Sequence, residues 1–240
     1  MIETFLALLA AHLLADFPFQ SDWMIRRKRN PLILAAHAAV VLATAIIALG
    51  NWPATLLIIL LVTHVAMDSI KVYVLKDTLR AFVLDQSVHL VVIAGLAVAY
   101  PRTVERGLWS ELPAGGFEAY AAALCLLAGL IASLQVGGII IRKATARFTA
   151  ETNDEIQGLE NGGLYIGFLE RALIMILILM GHPSGVGFLI AAKSILRFGE
   201  VREPSQRKMT EYIIIGTFMS FGWGLLVAVL TQLGLAFVLS

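Results

Sequence analysis

Histidine and aspartate recur four residues apart at three places in the first hundred residues of this chain. The pairs are His12–Asp16, His64–Asp68 and Asp85–His89. Residues four apart lie on one face of a helix, about one turn from each other. Each pair can therefore present an imidazole and a carboxylate to the same target, and His37 adds a fourth imidazole.

Four imidazoles and three carboxylates are ligands of the kind that bind transition metals. The chain has a single cysteine, Cys125, which excludes a CxxC metal site and an internal disulfide framework. Nitrogen and oxygen ligands without thiolate favour Zn, Mn, Fe or Co. Seven ligands exceed what one tetrahedral zinc requires, so two ions, or one ion with supporting carboxylates, are both consistent with the pattern. The alternative is that these residues only hydrogen-bond between helices.

The predicted metal ligands and catalytic residues come from this set. The metal ligands are His12, Asp16, His37, His64, Asp68, Asp85 and His89. The catalytic residues, acting as ligand or general base, are Asp16, Asp68 and Asp85.

The composition indicates that these residues lie within a membrane. Of the 240 residues, 59% are hydrophobic and 15% are charged, whereas a soluble domain carries about 25% charged residues. This excludes a soluble globular enzyme and a disordered chain. The formal net charge of +1 also excludes a nucleic-acid binder that relies on a basic surface.

Apolar runs of roughly 17–25 residues predict an all-α, polytopic transmembrane bundle. We predict about eight spans, of which the seventh is short enough to be re-entrant. The spans are 2–18, 32–50, 54–75, 81–100, 117–141, 163–181, 184–200 and 211–236. In chemistry the chain divides into a bundle with the His/Asp residues (1–141), a cytoplasmic loop (142–161) and C-terminal helices with charged residues (162–240).

Basic residues predict the orientation of the spans. They cluster in alternate connections, which the positive-inside rule places in the cytoplasm. The first of these connections holds Arg26, Arg27, Lys28 and Arg29. With both termini outside, all three His/Asp pairs and His37 fall near the cytoplasmic ends of their spans, at ~1.5 Å rise per residue. We therefore expect one site near the inner leaflet.

A second group of ionisable residues is predicted to bind an anionic substrate. Its members are Lys71, Glu170, Arg171, Lys193, Arg197 and Glu211. Arginine and lysine suit a phosphate group. The alternative for the later residues is salt bridging within the membrane, for example of Glu170 or Glu211 with Lys193 or Arg197. The two interpretations are compatible, because paired cations can still bind a substrate.

Several of these motifs resemble an uncharacterised bacterial inner-membrane family known only as a domain of unknown function. The resemblance is carried by His12-Leu-Leu-Ala-Asp16-Phe, His64-Val-Ala-Met-Asp68, Lys71 and Asp85-Gln86-Ser-Val-His89, with Gly167-Phe-Leu-Glu170-Arg171 and Lys193-Ser-Ile-Leu-Arg197 in the later part. It implies a multi-pass bacterial inner-membrane protein and no established activity. The His/Asp pattern also resembles, less closely, membrane-bound metal-dependent hydrolases, whose ligand order differs.

The sequence therefore favours a membrane-embedded, metal-dependent hydrolase that acts on a lipid or lipid-linked phosphate from the cytoplasmic leaflet. The metal would be one or two divalent transition-metal ions, and no nucleic acid is expected as a partner. The alternatives are a metal-ion or proton transporter that uses the same residues, and a non-catalytic membrane protein that binds lipid or protein. The outer halves of the spans are nearly all apolar, which favours a one-sided site over a pathway. The pattern leaves the oligomeric state open.

Overall fold

The computed structural model describes residues 1–149, 161–198 and 207–240, with every side chain in them except those of 147, 149, 196–198 and 207–210. In this part of the chain the regular structure is entirely helical. The α-helices are α1 (Ile2–Asp16), α2 (Asp22–Arg27), α3 (Pro31–Leu49), α4 (Ala54–Tyr73), α5 (Leu79–Ala99), α6 (Gly116–Ile131), α7 (Gly137–Thr149), α8 (Gly162–Leu179), α9 (Ser184–Phe198) and α10 (Arg207–Val238). The short 3₁₀ helices Val104–Arg106 and Leu108–Glu111 precede α6, and a π-helical turn, Ala132–Val136, joins α6 to α7.

In the described ranges of the chain, six helical segments are long and apolar enough to cross a membrane, one of them made of α6, the π-helical turn and most of α7. They are Pro31–Leu49, Ala54–Tyr73, Leu79–Ala99, Gly116–Ala146, Gly162–Leu179 and Glu211–Val238. The predicted all-α membrane bundle is therefore confirmed. The other two predicted spans, 2–18 and 184–200, correspond to α1 and α9, which are helices of 15 residues each.

Local signals in the sequence explain where the helices near the His/Asp residues begin. The Asn30 side chain accepts a hydrogen bond from the backbone N–H of Leu32, and Pro31 occupies the first turn of α3. Thr78 caps α5 in the same way by accepting from the N–H of Ala81. Gly50 ends α3 with φ of 60°, a left-handed conformation that glycine adopts without a steric penalty.

The described residues form two compact units. Unit 1 comprises Met1–Ile131 with Gly234–Ser240, and unit 2 comprises Ala132–Leu233. The three-part division of the sequence at 141 and 161 stays a prediction, although helical structure continues through 142–149 in α7.

Helix α1 lies at the centre of unit 1, where it packs against α3, α5 and α6. Four of its alanines, Ala7, Ala10, Ala11 and Ala15, are fully or almost fully buried. Small side chains allow helix backbones to approach closely. This explains how a helix shorter than its neighbours occupies the core, with His12 and Asp16 directed into the bundle.

In unit 2 the π-helical turn frees backbone carbonyl groups that side chains of other helices satisfy. The indole Nε1 of Trp223 donates to the carbonyl of Ala132 at 2.9 Å, and the guanidinium of Arg171 donates to that of Leu134 at 3.0 Å. Carbonyls released from a helical ladder within an apolar bundle require such partners.

Candidate metal centre

The helices of unit 1 bring all seven predicted metal ligands together. α1 supplies His12 and Asp16 from its last turn, α3 supplies His37 from its second turn, α4 supplies one pair from its later half and α5 supplies another from its second and third turns. All seven side chains are buried. The expected convergence of side chains from four helices, α1, α3, α4 and α5, is therefore present.

Three ligand atoms lie closest together at the centre of this cluster. His37 Nε2 lies 3.3 Å from Asp16 Oδ1 and 3.2 Å from His64 Nε2, and His64 Nε2 lies 3.5 Å from Asp16 Oδ1. Two ligands at about 2.05 Å from a tetrahedral zinc are about 3.3 Å apart. The spacing of these three atoms is therefore that of three ligands on one ion.

Asp68 approaches the same two imidazoles from another side. Its Oδ2 lies 3.4 Å from His37 Nε2 and 3.5 Å from His64 Nε2. Within the described residues, Asp16 Oδ1 is a buried oxygen that receives no hydrogen bond, whereas Asp68 Oδ2 lies 2.8 Å from the ammonium of Lys28. A buried acceptor without a donor is costly, and a bound cation would relieve that cost at Asp16.

The seven residues form three groups whose ligand atoms could hold a metal ion. In each group these atoms lie within 4.8 Å of one another. The groups are His12–His64–His89, Asp16–His37–His64 and Asp68–Asp85–His89. The first group shares an imidazole with each of the others, so only the second and third could hold ions at the same time without a shared ligand.

Two lysines pair with two of the three carboxylates. Lys28 Nζ lies 2.8 Å from each oxygen of Asp68, and Lys71 forms a short ion pair with Asp85. Lys28 is only 7% exposed. From the sequence, this lysine served only to predict the orientation of the spans. Asp16 has no lysine or arginine partner among the described residues, and its ionisable neighbours are the imidazoles of His12, His37 and His64.

Gln86 is a further polar residue whose role the sequence did not indicate. Its side-chain Nε2 donates to Asp85 Oδ2 at 3.1 Å, and its Oε1 lies 3.3 Å from His12 Nε2. Gln86 thus links α1 to the carboxylate that Lys71 contacts. Lys28 could have been found by charge balance, because three buried carboxylates and one nearby lysine leave an excess of negative charge.

The predicted substrate-binding residues do not form one group in a single unit. Lys71 belongs to unit 1, where it contacts Asp85. In unit 2, Glu170, Arg171 and Lys193 line a cavity of about 380 Å³. Glu211 is exposed and does not line this cavity, and the side chain of Arg197 lies outside the described part of the chain.

The described part of the chain thus combines helices that are long and apolar enough to cross a membrane with a buried His/Asp cluster that could hold a metal ion. Residues 4–108 match the model of a family described as "Protein of unknown function (DUF3307)". The predicted resemblance to an uncharacterised family is confirmed for this segment, which contains all seven candidate ligands. No curated protein and no solved structure matches the chain significantly.

Proposed function

We propose that this protein is a membrane-embedded, metal-dependent hydrolase that acts on a lipid or lipid-linked phosphate from the cytoplasmic leaflet. The observation that carries the proposal is the triangle of Asp16 Oδ1, His37 Nε2 and His64 Nε2, with sides of 3.2–3.5 Å in a buried site. A divalent ion held there would activate a water molecule as nucleophile.

Charge compensation supports one ion at this position rather than two. The carboxylates of Asp68 and Asp85 are already neutralised by Lys28 and Lys71. Asp16 is the carboxylate that still requires positive charge, and an uncompensated buried charge is strongly unfavourable. A metal at Asp16, His37 and His64 provides that charge and leaves one coordination position for water.

The remaining residues have the chemistry that phosphate-ester hydrolysis needs. The oxygen of water attacks phosphorus, its proton passes to a base, and the P–O bond to the leaving alcohol breaks as that oxygen takes up a proton. We assign Asp68, whose Oδ2 lies 3.4 Å and 3.5 Å from the two imidazoles, as the base that accepts the water's proton. Lys71, whose side chain is 32% exposed, is the charged member most accessible to an anionic substrate.

The test combines metal analysis with a phosphate-release assay on the full chain purified in detergent. We expect about one transition-metal ion per chain, and metal-dependent release of inorganic phosphate from a panel of phosphatidic acid, phosphatidylglycerol phosphate and polyprenyl phosphates. His64→Ala should abolish both. His182→Ala is the matched control, because His182 is an exposed histidine in a turn outside the cluster. Absence of stoichiometric metal in the wild type would reject the metal centre.

A proton or metal-ion transporter remains the second candidate, because the polar groups form a connected series. The imidazoles of His37 and His64 are in Nε2-to-Nε2 contact at 3.2 Å, and Gln86 joins His12 to Asp85. Without a metal, one imidazolium could balance Asp16. Proteoliposomes that show proton or metal-ion flux sensitive to His37→Ala, without phosphate release, would favour this function over hydrolysis. Bound metal with neither activity would favour a non-catalytic role.

A further inference from the structure

The charged side chains that line the cavity of unit 2 are mostly cations, whereas the His/Asp cluster of unit 1 is rich in carboxylates. Its volume is about 380 Å³, and residues of α7, α8, α9 and α10 line it. Its four charged lining residues are three cations and one anion: Arg142, Glu170, Arg171 and Lys193. The hydroxyl groups of Thr145, Tyr212, Thr217 and Ser220 also lie in its wall.

Only one of the cations is neutralised by a carboxylate in the described part of the cavity. Lys193 Nζ lies 2.6 Å from Glu170 Oε1, so these two charges cancel. This ion pair is one of the pairings of Glu170 or Glu211 with Lys193 or Arg197 that the sequence left open. It leaves Arg142 and Arg171 as the net positive charge of the wall.

Arg171 is the more informative of the two because it is buried, with 2% of its surface exposed. Its Nη1 donates to Ser220 Oγ at 2.8 Å, and its Nη2 donates to the Leu134 carbonyl at 3.0 Å. Both partners are neutral, and its Nε has no hydrogen-bond acceptor within the described residues. Among the described residues no carboxylate forms an ion pair with Arg171, and its sequence neighbour Glu170 pairs with Lys193 instead. A buried guanidinium in such surroundings is stabilised by an added anion.

Glycines allow the backbone to come close to this guanidinium. A Cβ atom at Gly167 would lie 3.0 Å from Arg171 Nη1, and one at Gly138 would lie 3.5 Å from Nη2. At Gly163, in contrast, a Cβ would have no neighbour within 4 Å. The cavity wall is therefore tight around Arg171 and open one turn earlier on α8.

We propose that the unit 2 cavity binds a phosphate-bearing anion, with Arg171 as its principal contact. Guanidinium groups bind phosphate oxygens through paired, charge-assisted hydrogen bonds. Arg142 and the hydroxyls of Tyr212 and Thr217 supply further donors. The phosphate could belong to a lipid head group or be free in solution, since the contacts are the same. This proposal does not depend on the metal centre of unit 1.

The experiment measures binding to the full chain in detergent with two probes. Inorganic phosphate is titrated calorimetrically, and phosphatidic acid in mixed micelles is titrated alongside uncharged diacylglycerol. We expect phosphatidic acid or phosphate to bind and diacylglycerol not to compete. Binding of phosphatidic acid alone assigns the site to lipid, and binding of phosphate alone assigns it to a soluble ligand.

Variants then locate the binding to the cavity. Arg171→Lys retains the charge but loses the paired geometry, and we expect affinity to fall roughly ten- to hundred-fold. Arg102→Lys, at an exposed arginine of unit 1, should bind like the wild type. Because Arg171 also supports the π-helical turn, a second variant, Gly216→Leu, fills the cavity without removing a charge and should also weaken binding.

Thermal unfolding in the same detergent serves as the check that each variant has folded, and it does not require a metal in unit 1. Failure of the wild type to bind either probe would overturn the proposal, as would wild-type affinity in both Arg171→Lys and Gly216→Leu. Loss of metal with intact phosphate binding would instead count against the hydrolase alone, so the two proposals fail separately.

Discussion

The two units of this protein hold their ionisable residues in contrasting ways. In unit 1 the acids, imidazoles and lysines contact one another directly, and every candidate ligand is buried. In unit 2 the ionisable residues line a cavity of about 380 Å³, and a buried arginine contacts only neutral groups. The side chains of the His/Asp cluster are so close together that they leave room only for a ligand as small as a metal ion, whereas the cavity of unit 2 admits a larger ligand.

The sign of the unbalanced charge also differs between the units. The His/Asp cluster of unit 1 has three carboxylates and two lysines that pair with them, so negative charge remains at Asp16 when the imidazoles are neutral. Unit 2 has an excess of cations around its cavity. In an apolar environment a buried charge needs a partner. The comparison therefore indicates a cation as the missing partner in unit 1 and an anion in unit 2.

The largest effect on stability should come from Lys28→Met in unit 1. This change leaves Asp68 buried without its lysine, and removing one partner of a buried ion pair costs roughly 3–5 kcal/mol. We expect the free energy of unfolding in mixed detergent micelles to fall by that amount in metal-free protein. Lys193→Met in unit 2 should cost less, because the Glu170 side chain is 15% exposed.

The controls for this prediction are Arg29→Met, at the adjacent exposed position, and the double variant Lys28→Met/Asp68→Asn. The double variant should recover most of the lost stability because it removes the unpaired charge. If Lys28→Met were as stable as Arg29→Met, the charge balance assigned to unit 1 would be wrong.

A smaller effect is expected from Gln86→Leu. Gln86 donates to Asp85 and lies within hydrogen-bonding distance of His12, so its loss leaves buried polar atoms without partners, at a cost of roughly 1–3 kcal/mol. The same unfolding measurement checks it. Ser87→Ala, at the next and exposed position of α5, is the control. Equal stability of the two variants would show that the bridge between α1 and α5 contributes nothing.

The smallest effect, on the binding of phosphate or phosphatidic acid, is expected for one of two glycine substitutions on α8. Gly167→Ala places a Cβ 3.0 Å from Arg171 Nη1, which must shift the guanidinium by a few tenths of an ångström. We expect phosphate or phosphatidic acid binding to weaken by about three-fold, because charge-assisted hydrogen bonds depend on geometry. Gly163→Ala, where a Cβ meets nothing within 4 Å, should bind normally. Identical binding by the two variants would show that Arg171 does not contact the bound anion.

Much of unit 1 could be predicted from the sequence because two regularities act together. Apolar runs predict the helices, and the spacing of four residues places each His/Asp pair on one face. Consecutive helices that reverse direction then bring His12, His37, His64 and His89 to the same level. The ends of the helices were less predictable, since α7 continues through Arg142 to Thr149 in a segment expected to be a loop.

The residues that were missed share a physical cause. Lys28 lies in a connection beside three arginines, and nothing in that local sequence distinguishes the lysine that turns inward from the charges that remain outside. Gln86 adjoins Asp85, so the sequence drew attention to its neighbour. In both cases the role depends on which side chains the packed helices bring within reach, and this information is not local.

By itself, the sequence determined that the chain is helical, apolar enough for a membrane, and equipped with imidazoles and carboxylates at one level of four helices. The tertiary structure alone decided how those groups pair: Lys28 with Asp68, Lys71 with Asp85, and Asp16 with imidazoles only. It likewise decided that Arg171 faces a cavity while Lys193 meets a carboxylate. The reason is that helical periodicity sets the level and face of a residue, whereas the rotation of each helix and the direction of each side chain follow from packing against its neighbours.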